Sequence, residues 1–161
     1  MGNRAVITFA DKKEIEKYVK DPSRPMHLEG FVAENKDRTG VYLHWNGGYD
    51  SVKPFCMACR KLGFRGPAGD SYGIACFVQL ARNFFGLDGL SVGVNNIGRL
   101  DCDNYDNGVF VVDDEWEIIG REFEHGEQTR DDEYYDKFCK YLVDLSKAMD
   151  DARRKFETDN A

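Results

Sequence analysis

Val41-Tyr42-Leu43-His44-Trp45-Asn46-Gly47-Gly48-Tyr49-Asp50-Ser51-Val52 decides how this chain folds. Val41 to Trp45 alternates apolar and polar side chains, as a half-buried strand does. Asn46, Gly47 and Gly48 tolerate positive φ and predict a sharp reversal. Asp50 or Ser51 can cap a helix, and Pro54 is acceptable in its first turn. That helix carries Val52, Phe55, Cys56, Cys59 and Leu62 and stops at Gly63. The segment therefore predicts a strand that turns at once into a helix. His44-Trp45-Asn46 is left at the tip as a candidate ligand pocket.

Outward from this unit, Arg4–Phe9 predicts a first strand, rich in β-formers. Residues 11–20 predict a short helix with Ile15, Tyr18 and Val19 on one face, stopped by Asp21-Pro22-Ser23-Arg24-Pro25. His27–Ala33 predicts a strand and Glu34–Gly40 a polar turn. A second central helix follows Gly66-Pro67-Ala68-Gly69, is capped by Asp70 or Ser71, and runs to Phe85 before Gly86. Its apolar residues point to most sides, which predicts burial. Leu90–Val94 predicts a strand, with Asn95-Asn96 as a turn. Val109–Val112 and Glu117–Phe123 predict a hairpin joined through residues 113–116.

The last third predicts one long helix. Thr129-Arg130-Asp131-Asp132 approximates a capping box, with Asp where Glu is usual. Phe138, Leu142, Leu145, Met149, Ala152 and Phe156 form a heptad seam reaching back to Tyr134. Such a helix would span roughly 42 Å at ~1.5 Å per residue, more than one domain of this size needs. Either its first half packs on the sheet and its end frays, or the far end docks on a second copy or a partner. The expected fold is α+β: one domain, an antiparallel sheet covered by two central helices and the long C-terminal helix. The expected division is a core over residues 1–128, the helix over 129–157 and a disordered tail over 158–161.

Composition narrows the function. Apolar residues make up 42% and aromatics 13%, enough for a packed core. Twenty-two basic residues face 29 acidic ones, a formal charge of −7. Such a surface repels nucleic acid and anionic lipid and favours a protein partner with a basic surface. No apolar run approaches the ~18 residues of a membrane span, and the N-terminal residues do not form a secretory signal. A cytoplasmic protein is the expectation. Five cysteines, an odd number, fit reduced thiols.

Motifs for chemistry are incomplete. Cys56-Met57-Ala58-Cys59 lacks the second pair a structural zinc needs, and it sits in mid-helix rather than at the N-terminus that activates a redox thiol. No serine has a nucleophile elbow. Asp101 to Gly108 resembles a calcium loop, but Tyr105 and Asp114 occupy ligand positions that need other residues. An Asx-rich turn accounts for it. No metal or cofactor is expected. The acidic residues Asp101, Asp103, Asp106, Asp113, Asp114 and Glu115 are the expected partner-binding set.

Asn3–Ile7, Tyr42–Gly48, Asn83–Gly86, Ser91–Gly93, Asp101–Gly108 and Gly120-Arg121 together resemble a family of small uncharacterised proteins of bacteriophages, prophages and mobile elements. Its signature is Tyr-x-His-Trp-(Asn or Asp)-Gly after a short first strand. The resemblance spans about residues 3–123. The segment over 10–39 is longer here, and the terminal helix is this chain's own addition. The resemblance implies a mobile-element setting, in which small acidic proteins neutralise a host factor, including a host immune nuclease. The leading expectation is thus a non-enzymatic, anti-CRISPR or other anti-defence inhibitor. One alternative is a small-ligand or metal-binding protein, or an enzyme, with a pocket near His44, Trp45, Asp101 and Asp103. A second is a scaffold that forms a homodimer through the helix seam.

Overall fold

The computed structural model describes residues 2–125 and 130–161. Five strands form one sheet: β1 Ala5–Phe9, β2 Thr39–Leu43, β3 Val92–Asn96, β4 Val109–Val112 and β5 Ile118–Glu122, in the order β3-β2-β1-β4-β5. All neighbours are antiparallel except β1 and β4, which pair in parallel from Val6↔Val109 to Phe9↔Val112. A parallel pair needs a long crossover. Here everything between the two strands supplies it. With α1 Lys12–Ile15, α2 Phe31–Glu34, α3 Tyr49–Lys61, α4 Ser71–Phe85 and α5 Asp132–Asp159, the fold is α+β, as expected.

All five residues of β1 are buried, so the sheet has two covered faces. Ala5, Ile7 and Phe9 join Val41, Leu43, Phe110 and Val112 beneath α3, α4 and the first half of α5. Val6 joins Val109, Val111, Leu28, Phe31 and Ile97 on the other face. The period-2 alternation of a strand sends neighbouring residues into different cores.

The second face is covered by residues the sequence reading placed differently. Instead of a strand over His27–Ala33, there are single bridges, Val19↔Leu28 and His27↔Arg121, followed by α2. Gly30 turns the chain at φ 83°. The buried carboxylate of Glu122 then accepts from Gly30 N at 2.9 Å and Val32 N at 2.8 Å. A long-range carboxylate decides this segment, and no local pattern announces it. The helix expected over 11–20 breaks into α1 and a 3₁₀ turn over Glu16–Tyr18.

Four other expectations need correction. Neither Gly47 nor Gly48 has a positive φ; Asn46 makes the left-handed turn at φ 56°. α3 starts on Gly48 with no side-chain cap, and Pro54 lies deeper than its first turn. Asn95 and Asn96 belong to β3, while Leu90 lies outside it and is exposed. α4 buries only one face, through Gly73, Phe77, Leu80 and Ala81.

Of the expected capping box on α5, Thr129 lies outside the described residues. Asp131 is the cap, its carboxylate accepting from Tyr134 N at 3.1 Å. Tyr135, Phe138, Cys139, Leu142 and Val143 are buried, chiefly against α3 and α4. From Lys147 onward every residue is exposed, yet the helix does not fray. It continues to Asp159, so part of the tail expected over 158–161 is helical. Asn160 closes it, N and Nδ2 both donating to Phe156 O.

Candidate functional site

The His44-Trp45-Asn46 loop is stitched to the start of β1. Asn3 N donates to His44 O at 2.9 Å, and Gly47 N donates back to Asn3 O at 2.8 Å. His44 and Tyr42, on the same side of β2, share a hydrogen bond of 2.8 Å between Nδ1 and Oη. The His44 and Trp45 rings meet edge-to-face, their centroids 4.9 Å apart. Asn46 Nδ2 donates to Ser51 Oγ at 3.1 Å, which braces the tip against α3. This leaves Trp45 43% exposed on a fixed loop.

The loop borders an aromatic groove of about 300 Å³, lined by Asn46, Phe84, Tyr134, Phe138 and Tyr141, with Lys137 at its edge. Phe84 holds it together, 5.2 Å from Phe138 and 6.4 Å from Tyr141 between ring centres. Tyr134 and Tyr141 are 42% and 54% exposed. Partial burial raises the phenol pKa of Tyr134, and the carboxylates of Asp50 and Asp131 raise it further. The groove therefore has an aromatic centre and acidic neighbours. Sequence reading found Asn46, Trp45 and Phe138 but missed Phe84, Tyr134 and Tyr141 as a surface. The signal was there: Tyr134, Phe138 and Tyr141 share one helical stripe.

The acidic candidates do not form one patch. Asp101, Asp103 and Asp106 precede β4, and Asp113, Asp114 and Glu115 follow it. The four residues of β4 separate them by roughly 13 Å of extended chain. Asp106 accepts from Arg4 Nε at 2.8 Å and Arg4 N at 3.0 Å, and Asp101 lies 3.3 Å from the same guanidinium. Asp103 is exposed. Asp113 is buried and accepts from Glu115 N at 3.0 Å and Glu117 N at 2.9 Å, so it holds a turn. Asp114 accepts from Ala68 N, and Glu115 stands 4.0 Å from Arg60.

The loop over 101–108 is an Asx-organised turn. Buried Asn104 accepts from Asp106 N and Gly108 N and donates to Asp101 O. Among the described residues, no group of three or more His, Cys, Asp or Glu side chains is arranged to hold a metal ion. His44 is close enough to Asp106 to influence its charge, but Asp106 is committed to Arg4.

The hydrogen bonds from Arg4 hold the Asp106 carboxyl below its ordinary value, with the Arg4 charge adding to them. A depressed folded-state pKa gives stability that is present above the unfolded-state value and is lost as pH falls through the folded-state value. Asp106→Asn should therefore flatten the acid limb of a stability–pH curve below about pH 4, the ordinary carboxylate range. Urea melts between neutral and acid pH measure this, and an unchanged limb would show that the pair is screened out.

The cysteines are all free. Burial pushes the Cys56 thiol up to about 12 and raises Cys59 as well. The Cys56–Cys59 pair is protonated core, not an activated redox couple.

Of the seam residues, Phe138 and Leu142 are buried in the core and Leu145 is half-buried at its margin. Met149 and Phe156 are 49% and 66% exposed on the projecting half, with Ala152 exposed between them. No helix among the described residues is long and apolar enough to cross a membrane. Compared with family models, with curated proteins and with solved structures, the chain finds no match in any of the three.

Proposed function

We propose that this protein acts by binding another protein, as a non-enzymatic inhibitor of a partner with a basic surface. The observation that carries this reading is the aromatic groove beside Trp45 and Asn46, with Asp50 and Asp131 acting on its Tyr134. Exposed aromatics grouped in a pocket with charged surroundings are the usual make-up of an interaction hot spot. The chain's −7 charge adds long-range attraction to a cationic partner. The acidic set over 101–115 supports the reading less well, because its members are divided between two ends of β4 and several are tied internally.

The resemblance to mobile-element proteins makes a bacterial defence protein the first class of partner to test. Bait experiments in a bacterial lysate should capture such a protein with the intact chain. Trp45→Ala combined with Tyr141→Ala should weaken capture about 100-fold, as two hot-spot truncations do. Binding should also weaken as salt rises. Capture unaffected by the double variant, or indifferent to salt, rejects this reading.

A second reading is favoured by the projecting half of α5. Met149, Ala152 and Phe156 continue the heptad spacing beyond the core, and two copies could pair along it. Light scattering of the intact chain and of one ending at Ser146 decides this. A mass that doubles only in the intact chain supports self-association; equal masses reject it.

A further inference from the structure

We infer that the groove between α3, the β4–β5 turn and α5 binds a small organic anion, a carboxylate or phosphate head carried on an apolar body. The groove encloses about 390 Å³, within the range of small-molecule sites, roughly 300–1,000 Å³. It shares no lining residue with the aromatic groove described above. The inference is therefore independent of the proposed partner surface.

Its rim is cationic. Lys53, Arg60 and Lys61 line it, spaced so that they share one flank of α3 with Met57. One carboxylate lines it too: Glu117 accepts from Lys53 at 3.2 Å and from Arg60 at 3.1 Å. Glu115 reaches only to 4.0 Å from Arg60. Lys61 and Asp136 both act on the Cys139 thiol at the floor. Among the described residues, no carboxylate lies within ion-pair distance of Lys61, unlike Lys53 and Arg60. A chain of net charge −7 thus carries a concave site where two cations share one carboxylate and a third, Lys61, stands without one.

Its floor is apolar. Half-buried Met57 forms it together with Trp116 and Cys139, which are only 3% and 2% exposed. Trp116 adopts φ 61°, a left-handed conformation that a bulky residue seldom takes. The turn is over-determined: Asp113 accepts from two backbone amides, Trp116 Nε1 donates to Phe64 O at 3.1 Å, and the indole stacks on Phe77 at 6.2 Å. The strained turn holds the indole in the core, 3% exposed, so the groove meets only a small, fixed part of its surface. An apolar body resting on Met57 and Trp116 would put its anionic head at Lys61.

The test uses the intact chain and benzyl phosphate as probe, followed by two-dimensional NMR. The chain has two indole N–H groups, Trp45 and Trp116, and Trp45 does not line the groove. The Trp116 indole signal should shift saturably while the Trp45 signal stays. Arg60→Gln with Lys61→Gln, both surface changes, should weaken binding about tenfold. Inorganic phosphate and benzyl alcohol, each half of the probe, should bind more weakly than the whole. Absence of any shift at Trp116, equal binding of benzyl alcohol, or an unchanged affinity in the double variant would each overturn the inference.

Discussion

Phe55→Ala is expected to destabilise the protein by about 3–5 kcal/mol, the usual cost of emptying a fully buried aromatic site. Phe55 is 0% exposed. Its ring meets Phe77, Phe84 and Phe85 of α4 and Phe138 of α5, at centroid distances between 5.7 and 6.5 Å. One side chain therefore ties three helices together above the sheet. The hole could close only if α4 and α5 both moved toward α3. Small domains are stable by only about 5–15 kcal/mol, so the variant would be near its unfolding threshold at room temperature. Phe55→Leu retains most of the volume and should cost far less, about 1–1.5 kcal/mol. Urea denaturation of both variants, at constant slope, measures the difference. A loss below about 1 kcal/mol for Phe55→Ala would mean that the aromatic cluster is loosely packed.

Gly47→Ala should cost about 3 kcal/mol, the upper end for an overpacked site. A methyl group at Gly47 would lie 2.5 Å from Asn3 O, 2.7 Å from Arg4 C and 2.7 Å from Ala5 N. All three are backbone atoms at the entry to β1, which is paired on both sides. They have nowhere to move. Gly48→Ala is the control. Its φ of −71° suits any residue; the methyl would crowd only the carboxylate of Asp50, which can rotate away, and would meet the Asn3 amide at an ordinary 3.5 Å. It should cost less than about 1 kcal/mol. Calorimetric melts of the two variants give the comparison. Equal losses would show that the close approach at Gly47 is not what confines this position to glycine.

That pair of glycines also shows what the sequence can express. The strand, the reversal and the helix over 41–62 follow from local pattern, and all three are present. Which residue takes the left-handed turn does not follow, because Asn46 and glycine are both competent. The need for Gly47 comes from Asn3–Ala5, more than 40 positions away. The hairpin β4–β5 and the long helix α5 were legible for the same reason as the strand: their periodicity is strong. The segment over 27–33 was not, because Glu122 organises it from across the sheet. The candidate surface divides in the same way. His44, Trp45 and Asn46 stand out in the sequence, but their aromatic neighbours Phe84 and Tyr141 arrive from two separate helices. The acidic residues over 101–115 are neighbours along the chain, but β4 runs through their middle and carries the two halves to opposite ends of a strand.

The parallel pairing of β1 with β4 has a consequence for the order of events on the ribosome. β1, β2 and β3 can assemble as an antiparallel three-stranded unit once Asn96 has emerged. The outer side of β1 then waits, with open amides and carbonyls, until Val109–Val112 is synthesised. An uncovered strand edge is a template for the wrong neighbour. Newly made chains should therefore be most vulnerable to clumping in that interval, and slow translation across residues 97–112 would lengthen their exposure.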